Sequence, residues 1–169
     1  MMKVGIISDT HGYLDNNIFK YFEEVDEIWH AGDAGSLELL DELSRFKPLR
    51  AVYGNIDDYK VRSEYPEDYI FSVEGLKVYM THIGGHPGAY APRAKKFLKA
   101  EQPDVFVCGH SHILRVMRDS AFKNMLYLNP GAAGIHGFHK VRTLLRLDLH
   151  EKKAVGLQAI ELGKRGAIV

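Results

Sequence analysis

Seven side chains that can bind a metal ion follow directly after short apolar runs of the sequence. They are two carboxylates, one amide and four imidazoles: Asp9, His11, Asp33, Asn55, His82, His110 and His112. The two pairs Asp9/His11 and His110/His112 are each two residues apart, a spacing that puts both side chains on one side of an extended chain. Seven donors are too many for one ion but suit two, and the central carboxylate, Asp33, is the expected bridging ligand.

The ligand types limit the choice of metal. Because no thiolate is among the donors, manganese, iron, zinc or nickel fits better than copper(I), and the number of imidazoles disfavours a pure magnesium or calcium site. We therefore expect two divalent ions, with manganese as the first choice. Asp33, Asn55 and His110 are expected to be the catalytic residues of such a two-metal site.

Each motif taken alone also has a structural explanation. Asp9-x-His11 can cap a loop, a Gly-Asp or Gly-Asn dipeptide is most often a turn, and His82 can be a hydrogen-bonded structural histidine. However, five separate strand ends would each have to offer a ligand-type residue by accident. The joint pattern therefore favours a metal site over five unrelated turns.

Five predicted strands must position these side chains. Each ends just before one of the candidate ligands, and together they cover 3–8, 27–31, 49–53, 76–80 and 105–108. In open α/β sheets, ligands bind at such strand ends, so the polar residues are expected to converge. A glycine precedes Asp33, Asn55 and His110, where it is expected to let the backbone turn sharply so that the next side chain points inward.

Helical spacing predicts the connections between these strands. Apolar residues recur at helical intervals over 16–24, Ser36 is the expected N-cap of a helix that runs to Phe46, and Pro92 suits the first turn of a helix through Glu101. A hairpin is predicted from strands at 69–73 and 76–80, which flank Glu74-Gly75.

The second half of the chain is rich in β-structure. Runs around Val116, Leu126, Leu145 and Leu157 read as strands, and a glycine-bearing loop spans 130–140. A βαβαβ first half followed by a mostly antiparallel second half predicts two sheets packed together with helices outside. The fold class is therefore α/β, or α+β by some schemes.

Composition narrows the function classes. A length of 169 residues predicts one domain, over 1–169, and 46% hydrophobic against 26% charged residues is an ordinary globular balance. Twenty-two basic residues balance 22 acidic ones, so we do not expect a nucleic-acid partner. No membrane span and no secretory signal are expected, which makes the cytoplasm the default compartment. The single cysteine, Cys108, excludes disulfide stapling and zinc ribbons.

The order of the motifs from Asp9 to Asn129 resembles the calcineurin-like metallophosphoesterase superfamily, most closely its small bacterial and archaeal phosphodiesterase branch. The resemblance implies a single metallophosphoesterase domain built as a four-layer α/β/β/α sandwich of two mixed sheets. It also implies a ligand assignment and a structural role for the turn Asn129-Pro130-Gly131. One metal would take Asp9, His11 and His112, the second Asn55, His82 and His110, and Asp33 would bind both.

Two positions depart from the family pattern. Many members place a histidine directly after the metal-binding asparagine to protonate the leaving group, whereas this chain has Ile56 followed by Asp57. The substrate's leaving group then needs little protonation, or the donor is His86, His136 or His139. Relatives also have His-Gly-His where this chain extends from His82 to His86, so we expect a different loop path there.

The expected function is that of a phosphodiesterase that hydrolyses a small phosphate ester by direct attack of a metal-bridging hydroxide. A capping domain does not fit into this length, so the site is expected to be open to exposed phosphodiesters. The alternative is a catalytically inactive scaffold or protein-interaction module with the same fold. A homo-oligomer, either a dimer or a tetramer, fits both functions.

Overall fold

A computed structural model describes residues 1–166 as two large sheets with helices on both sides. The strands are β1 (Met2–Ile7), β2 (Glu27–His30), β3 (Leu49–Ala51), β4 (Asp68–Val73), β5 (Leu76–Thr81), β6 (Gly85–His86), β7 (Ala89–Tyr90), β8 (Val105–Val107), β9 (Leu114–Asp119), β10 (Met125–Pro130), β11 (Val141–His150) and β12 (Lys153–Lys164). The helices are α1 (Asn17–Tyr21), α2 (Leu37–Phe46), α3 (Tyr59–Glu64) and α4 (Pro92–Glu101), and a 3₁₀ helix covers Ser120–Phe122.

Both five-stranded sheets are mixed. The first has the order β12-β11-β1-β2-β3, in which β1, β2 and β3 run parallel and β11 pairs antiparallel with β1. The second has the order β4-β5-β8-β10-β9, in which β5, β8 and β10 run parallel between two antiparallel edge strands. The sheets do not divide the chain into halves, because β11 and β12 return to the sheet that β1 began.

Three buried clusters hold the layers together. Val4, Trp29, Met80 and Leu128 belong to the cluster between the two sheets. A second cluster joins α1, α2 and α3 to the first sheet, and a third joins α4 to the second sheet. The expected four-layer α/β/β/α arrangement is therefore confirmed. Within residues 1–166, no helix is long and apolar enough to span a membrane.

Most predicted elements are present with small shifts at their ends. Ser36 caps α2 as expected, since its Oγ accepts a hydrogen bond from the Leu39 amide at 3.2 Å. The first helix is shorter than predicted and ends at Tyr21, because the chain turns at Phe22. Helix α3 was not predicted, since Val61 is its one buried residue and it has no apolar stripe.

Backbone hydrogen bonds continue past the ends of the parallel strands. The Asp9 amide donates to the Gly32 carbonyl and the His11 amide to the Asp33 carbonyl, both at 3.0 Å. In the other sheet, the Gly109 amide donates to the His82 carbonyl at 3.0 Å. These bonds fix the backbone of the segments from which the candidate ligands project.

Asp57 ties the segment after β2 to the segment after β3. It is buried, and its two carboxylate oxygens accept hydrogen bonds from the amides of Gly54 at 2.8 Å, Gly35 at 2.9 Å and Ala34 at 3.3 Å. A buried carboxylate that accepts three amide protons fixes both loops relative to each other. The polar group beside Asn55 is therefore a structural clamp.

The substitution Asp57→Asn tests this clamp. The amide replaces one acceptor with a donor that faces a backbone N–H, so we expect the free energy of unfolding to fall by about 1–3 kcal/mol. Urea unfolding with chelator present measures it. The matched control, Asp41→Asn on the exposed face of α2, should change stability by less than about 0.5 kcal/mol. An unchanged unfolding midpoint for Asp57→Asn would contradict the clamp.

Candidate metal centre

All seven candidate ligands lie together at the strand ends. Six of them form two groups of three, Asp9–His11–His112 and Asp33–His82–His110, and within each group the ligand-type atoms lie within 4.8 Å of one another. Asn55 adjoins the second group, with its Oδ1 3.1 Å from His110 Nδ1. Side chains from five separate segments of the chain therefore converge on one place.

The two groups also contact each other through their carboxylates. Asp33 Oδ2 lies 3.1 Å from His82 Nε2 in its own group and 3.5 Å from His11 Nε2 in the other. Asp9 Oδ1 lies 3.1 Å from His112 Nε2 and 3.7 Å from His82 Nε2. Atoms that share one ion at about 2.0–2.2 Å are separated by about 2.8–3.6 Å, so the spacing is of the order a shared cation needs.

Three buried polar atoms in this cluster have no hydrogen-bond partner. Among the buried side-chain nitrogen and oxygen atoms of residues 1–166, those without a hydrogen-bond partner are Asp9 Oδ1, His11 Nε2 and His82 Nε2. Leaving a buried polar atom unpaired costs about 1–3 kcal/mol, and such atoms call for a particular explanation. All three face the same space and all are of the type that divalent metals bind, so the residues present fit a metal centre.

Each carboxylate has one anchored oxygen and one that faces the imidazoles. Asp9 Oδ2 accepts hydrogen bonds from Ser8 Oγ at 2.6 Å and from the His110 amide at 3.1 Å. Asp33 Oδ1 accepts one from the Ile56 amide at 3.0 Å. The anchored oxygens fix the orientation of both groups, so that Asp9 Oδ1 and Asp33 Oδ2 face the imidazoles.

The imidazoles and carboxylates shift each other's ionisation. Burial by itself would raise the pKa of Asp9, but the surrounding imidazoles outweigh it and hold that pKa below its usual range. Burial likewise opposes the effect of His82 on Asp33, whose pKa is also lowered. Asp9 raises the pKa of His11, and the two carboxylates raise the pKa of His82 against the effect of its burial. Both carboxylates are therefore ionised near neutral pH.

The ligand pairs do not meet through extended backbone, so that part of the sequence prediction is wrong. Five of the seven residues have a left-handed backbone: the φ angles are 53° for Asp9, 45° for His11, 55° for Asp33, 69° for His110 and 59° for His112. Such angles are strained for residues other than glycine and are concentrated at functional sites. The backbone turns tightly at these strand ends. The turn brings together side chains that are two residues apart in the sequence, such as those of Asp9 and His11.

The glycines before the ligands serve two different purposes. Gly32, before Asp33, has a φ of 98° and so supplies the sharp turn that was expected. Gly54 and Gly109 do not lie in the left-handed region. A Cβ on Gly54 would lie 2.0 Å from Asp33 Oδ1, and one on Gly109 would lie 2.1 Å from Ser8 Oγ. At these two positions glycine is needed for close approach rather than for turning.

Asn129 supports the segment that carries His110 and His112, a connection that the sequence analysis described only as a structural turn. Its Nδ2 donates to the Gly109 carbonyl at 3.0 Å and to Ser111 Oγ at 3.1 Å. Its Oδ1 accepts from the Gly131 amide at 3.0 Å. The signal was the Asn-Pro-Gly triplet, whereas no sequence signal marked Ser8 as a partner of Asp9.

His30 is a structural histidine beneath the site. Its Nδ1 accepts a hydrogen bond from the Gly32 amide at 3.1 Å, and its Nε2 lies 3.0 Å from Thr10 Oγ1. Burial lowers the pKa of His30 to about 4, so the ring is neutral near pH 7. It thereby holds together the two segments that carry Asp9 and Asp33.

The histidines suggested as proton donors occupy different environments. Both nitrogens of His139 are engaged, with Nε2 2.7 Å from the Gly134 carbonyl and Nδ1 3.1 Å from His112 Nδ1. His136 is exposed, and its ring lies against that of His11. His86 is in the ribbon formed by β6 and β7 and lines a cavity of about 200 Å³ with His110.

A larger depression borders the site beside Asn55 and His82. Its volume is about 370 Å³, and Arg62 and Arg93 also line it. Both guanidinium groups already have partners. Arg62 donates to the carbonyls of Asp57 and Asn55, and Arg93 pairs with Asp68 and Glu67.

Comparison with known proteins identifies the family. Residues 2–152 match the family model of the calcineurin-like phosphoesterase superfamily domain. A probable metallophosphoesterase of Methanothermobacter thermautotrophicus is 31% identical, with 78% of this chain and 77% of that protein aligned. A phosphodiesterase of Methanocaldococcus jannaschii is 33% identical, with 77% and 83% aligned.

Solved structures agree with this result. An archaeal phosphodiesterase superposes with a TM-score of 0.75 at 26% identity, covering 95% of this chain and all of that one. Vps29 from Entamoeba histolytica superposes with a TM-score of 0.72 at 16% identity, covering 96% of this chain and all of that one. The second likeness shows the fold alone. From the family match, the relatives and the shared fold together, the chain belongs to the calcineurin-like phosphoesterase superfamily.

Proposed function

We propose that the protein is a phosphodiesterase that depends on two divalent metal ions. The observation that carries the proposal is the set of unpartnered buried atoms Asp9 Oδ1, His11 Nε2 and His82 Nε2. They lie within two ligand groups that contact each other through Asp33. Such a donor set has no use in a purely structural loop cluster, and the family to which the chain belongs is metal-dependent.

The ligand set divides between two positions. Asp9, His11 and His112 would hold one ion, and His82, His110 and Asn55 the other, with Asp33 between them. Bound there, divalent ions lower the pKa of a water molecule and offset the negative charge of a phosphate group. Asn55 and His110 are exposed, so they face the side from which a substrate enters.

The cavity beside Asn55 and His82 favours diesters over monoesters. A phosphomonoester carries close to two negative charges at neutral pH, whereas a diester carries one. Arg62 and Arg93, the arginines that line this cavity, are already bound to carbonyl or carboxylate groups. The second charge of a monoester therefore finds no unpaired arginine among these lining residues.

Few side chains near Asn55 can donate a proton to the leaving group of the substrate. Asp57, two residues after Asn55, is buried and accepts three amide hydrogen bonds, and Ile56 cannot donate a proton. Of the three candidate histidines, His139 has both nitrogens engaged. Substrates with good leaving groups are therefore preferred, or His86 or His136 supplies the proton.

A scaffold without catalysis is the alternative function. The observation in its favour is a row of partly exposed apolar side chains on and beside the edge strand β9, made up of Ile113, Leu114, Val116 and Met117. A scaffold, however, has no need for unpaired buried ligand atoms or for carboxylates held ionised. Hydrolysis assays separate the two functions directly.

Removing the bridging carboxylate tests the catalytic proposal. We expect wild-type protein to hydrolyse bis(4-nitrophenyl) phosphate with Mn²⁺, to lose this activity with chelator, and to regain it when Mn²⁺ is returned. Asp33→Asn and Asn55→Ala should each lower kcat/KM by about 100-fold or more, because each removes charge stabilisation at the reacting phosphate. Stopped assays over a range of substrate concentrations measure this.

The matched control for Asp33→Asn is Asp41→Asn, which places the same change on the exposed face of α2 and should leave kcat/KM unaltered. Normal activity in both Asp33→Asn and Asn55→Ala would refute the proposed site. A preference of about tenfold or more for 4-nitrophenyl phosphate over the diester would refute the diester specificity. Absence of hydrolysis with Mn²⁺ present would favour the scaffold, whereas hydrolysis that persists without metal would refute the metal dependence.

The ionisation of His11 and His82 predicts how metal affinity depends on pH. Neighbouring carboxylates raise the pKa of both imidazoles, so near pH 6 both hold protons that must leave before the nitrogens can bind a metal. Affinity for Mn²⁺ should therefore rise from pH 6 to pH 8, by up to about tenfold per pH unit for each proton released. Calorimetry in two buffers with different ionisation enthalpies counts these protons. Equal affinity at pH 6 and pH 8, with no proton release, would exclude both histidines as ligands.

A further inference from the structure

The segment between β10 and β11 packs against one of the two ligand groups. Its backbone is paired with the segment after β1, since the Ala133 amide donates to the Ser8 carbonyl at 3.0 Å and the Gly134 amide to the Asp9 carbonyl at 3.1 Å. A Cβ on Gly137 would lie 2.3 Å from His112 Nδ1. This segment is thus in direct contact with the group that contains Asp9 and His112.

A chain of hydrogen bonds runs from this segment to His112. The Nε2 of His139 lies 2.7 Å from the Gly134 carbonyl, which accepts but cannot donate, so Nε2 carries the proton. In the neutral ring, Nδ1 of His139 is then an acceptor, and the His112 Nδ1 that lies 3.1 Å away must be the donor. This leaves His112 Nε2 with a free lone pair, 3.1 Å from Asp9 Oδ1.

The second ligand group has a different kind of support. His82 Nδ1 lies 2.8 Å from the carbonyl of Ala31, the residue directly after β2, so Nδ1 carries the proton and Nε2 keeps a free lone pair. Asp33 is fixed by the Ile56 amide. No described contact of the segment 131–140 reaches His82 or Asp33, so these two members of the second group are supported by other parts of the chain.

We propose that His139 is a positioning residue that sets the tautomer and orientation of His112, and so controls metal affinity at the Asp9–His11–His112 group without altering the Asp33–His82–His110 group. The inference rests on the proposed function, because it presumes that both groups bind metal. Hydrogen-bond partners of ligating histidines affect metal affinity by holding the ring and its proton in place. The imidazole of His139 therefore acts through His112 and not on the substrate.

Four variants test this role. His139→Ala removes the chain, His139→Phe retains a ring but neither donor nor acceptor, and His139→Gln offers an amide oxygen to His112 and an amide N–H to the Gly134 carbonyl. His150→Ala is the matched control, at a partly exposed histidine beside Glu151. Chelator-stripped proteins are titrated with Mn²⁺ alone by calorimetry, and bound metal is counted by mass spectrometry after gel filtration.

The wild type and His150→Ala should each bind two ions per chain. His139→Ala and His139→Phe should weaken one of the two ions by about 10- to 100-fold and leave the other unchanged, while His139→Gln should recover most of the loss. Electron paramagnetic resonance gives a readout independent of activity, since a coupled manganese pair in wild type should be replaced by an isolated ion in the weakened variants. His139→Phe preserves the test if His139→Ala does not fold.

Each other outcome overturns the inference. If His139→Phe binds each of the two ions with the same affinity as the wild type, His139 only fills space. Equal weakening of both ions in a folded variant would show that the two groups are not separately supported. Failure of the wild type itself to bind two ions would refute the proposed dinuclear site as well, whereas two ions bound with wild-type affinity in every variant would refute the role of His139 alone.

Discussion

Two carboxylates buried side by side are the constraint around which this site is built. Asp9 and Asp33 are almost fully buried, and the charge of Asp9 disfavours ionisation of Asp33. Ionised groups in such a place are stable only if positive charge lies next to them, either as protons on the imidazoles or as metal ions. The carboxylates accordingly raise the pKa of His11 and His82, which lie next to them. Anchoring one oxygen of each carboxylate then decides which oxygen faces the shared space.

The strained backbone at the candidate ligands is held in place by hydrogen bonds that extend from the sheets. A left-handed backbone costs about 1–2 kcal/mol for a residue with a side chain, and five of the candidate ligands adopt it. The strand ends tolerate it because their backbone groups are paired with one another beyond the last regular ladder bond. Asn129 and Asp57 add side-chain clamps to the two sides of the cluster. A site of this kind is held by its surroundings and not by the local preferences of its own residues.

Much of the architecture could be predicted from the sequence, because strand ends and ligand types are local signals. The four-layer fold, the cap at Ser36 and the family are confirmed, and the seven ligand-type residues lie where convergence was expected. Their metal-binding roles stay a prediction. The return of β11 to the first sheet, the left-handed φ angles and the link from His139 to His112 were not visible in the sequence. Each depends on which distant segments become neighbours, and residue spacing does not encode this.

The position of β1 has a consequence for how the chain acquires its shape. This strand lies between β2, which follows it closely, and β11, which lies at the other end of the sequence. A buried ion pair joins Asp15, which follows β1, to Arg142 in β11, and the two residues are 127 positions apart in the sequence. During synthesis, β1 is therefore made long before β11, and one of its edges stays unpaired until β11 has been made. Pairings of such long range raise the contact order and slow folding. Strand β1 therefore has both edges paired only after β11 has been made.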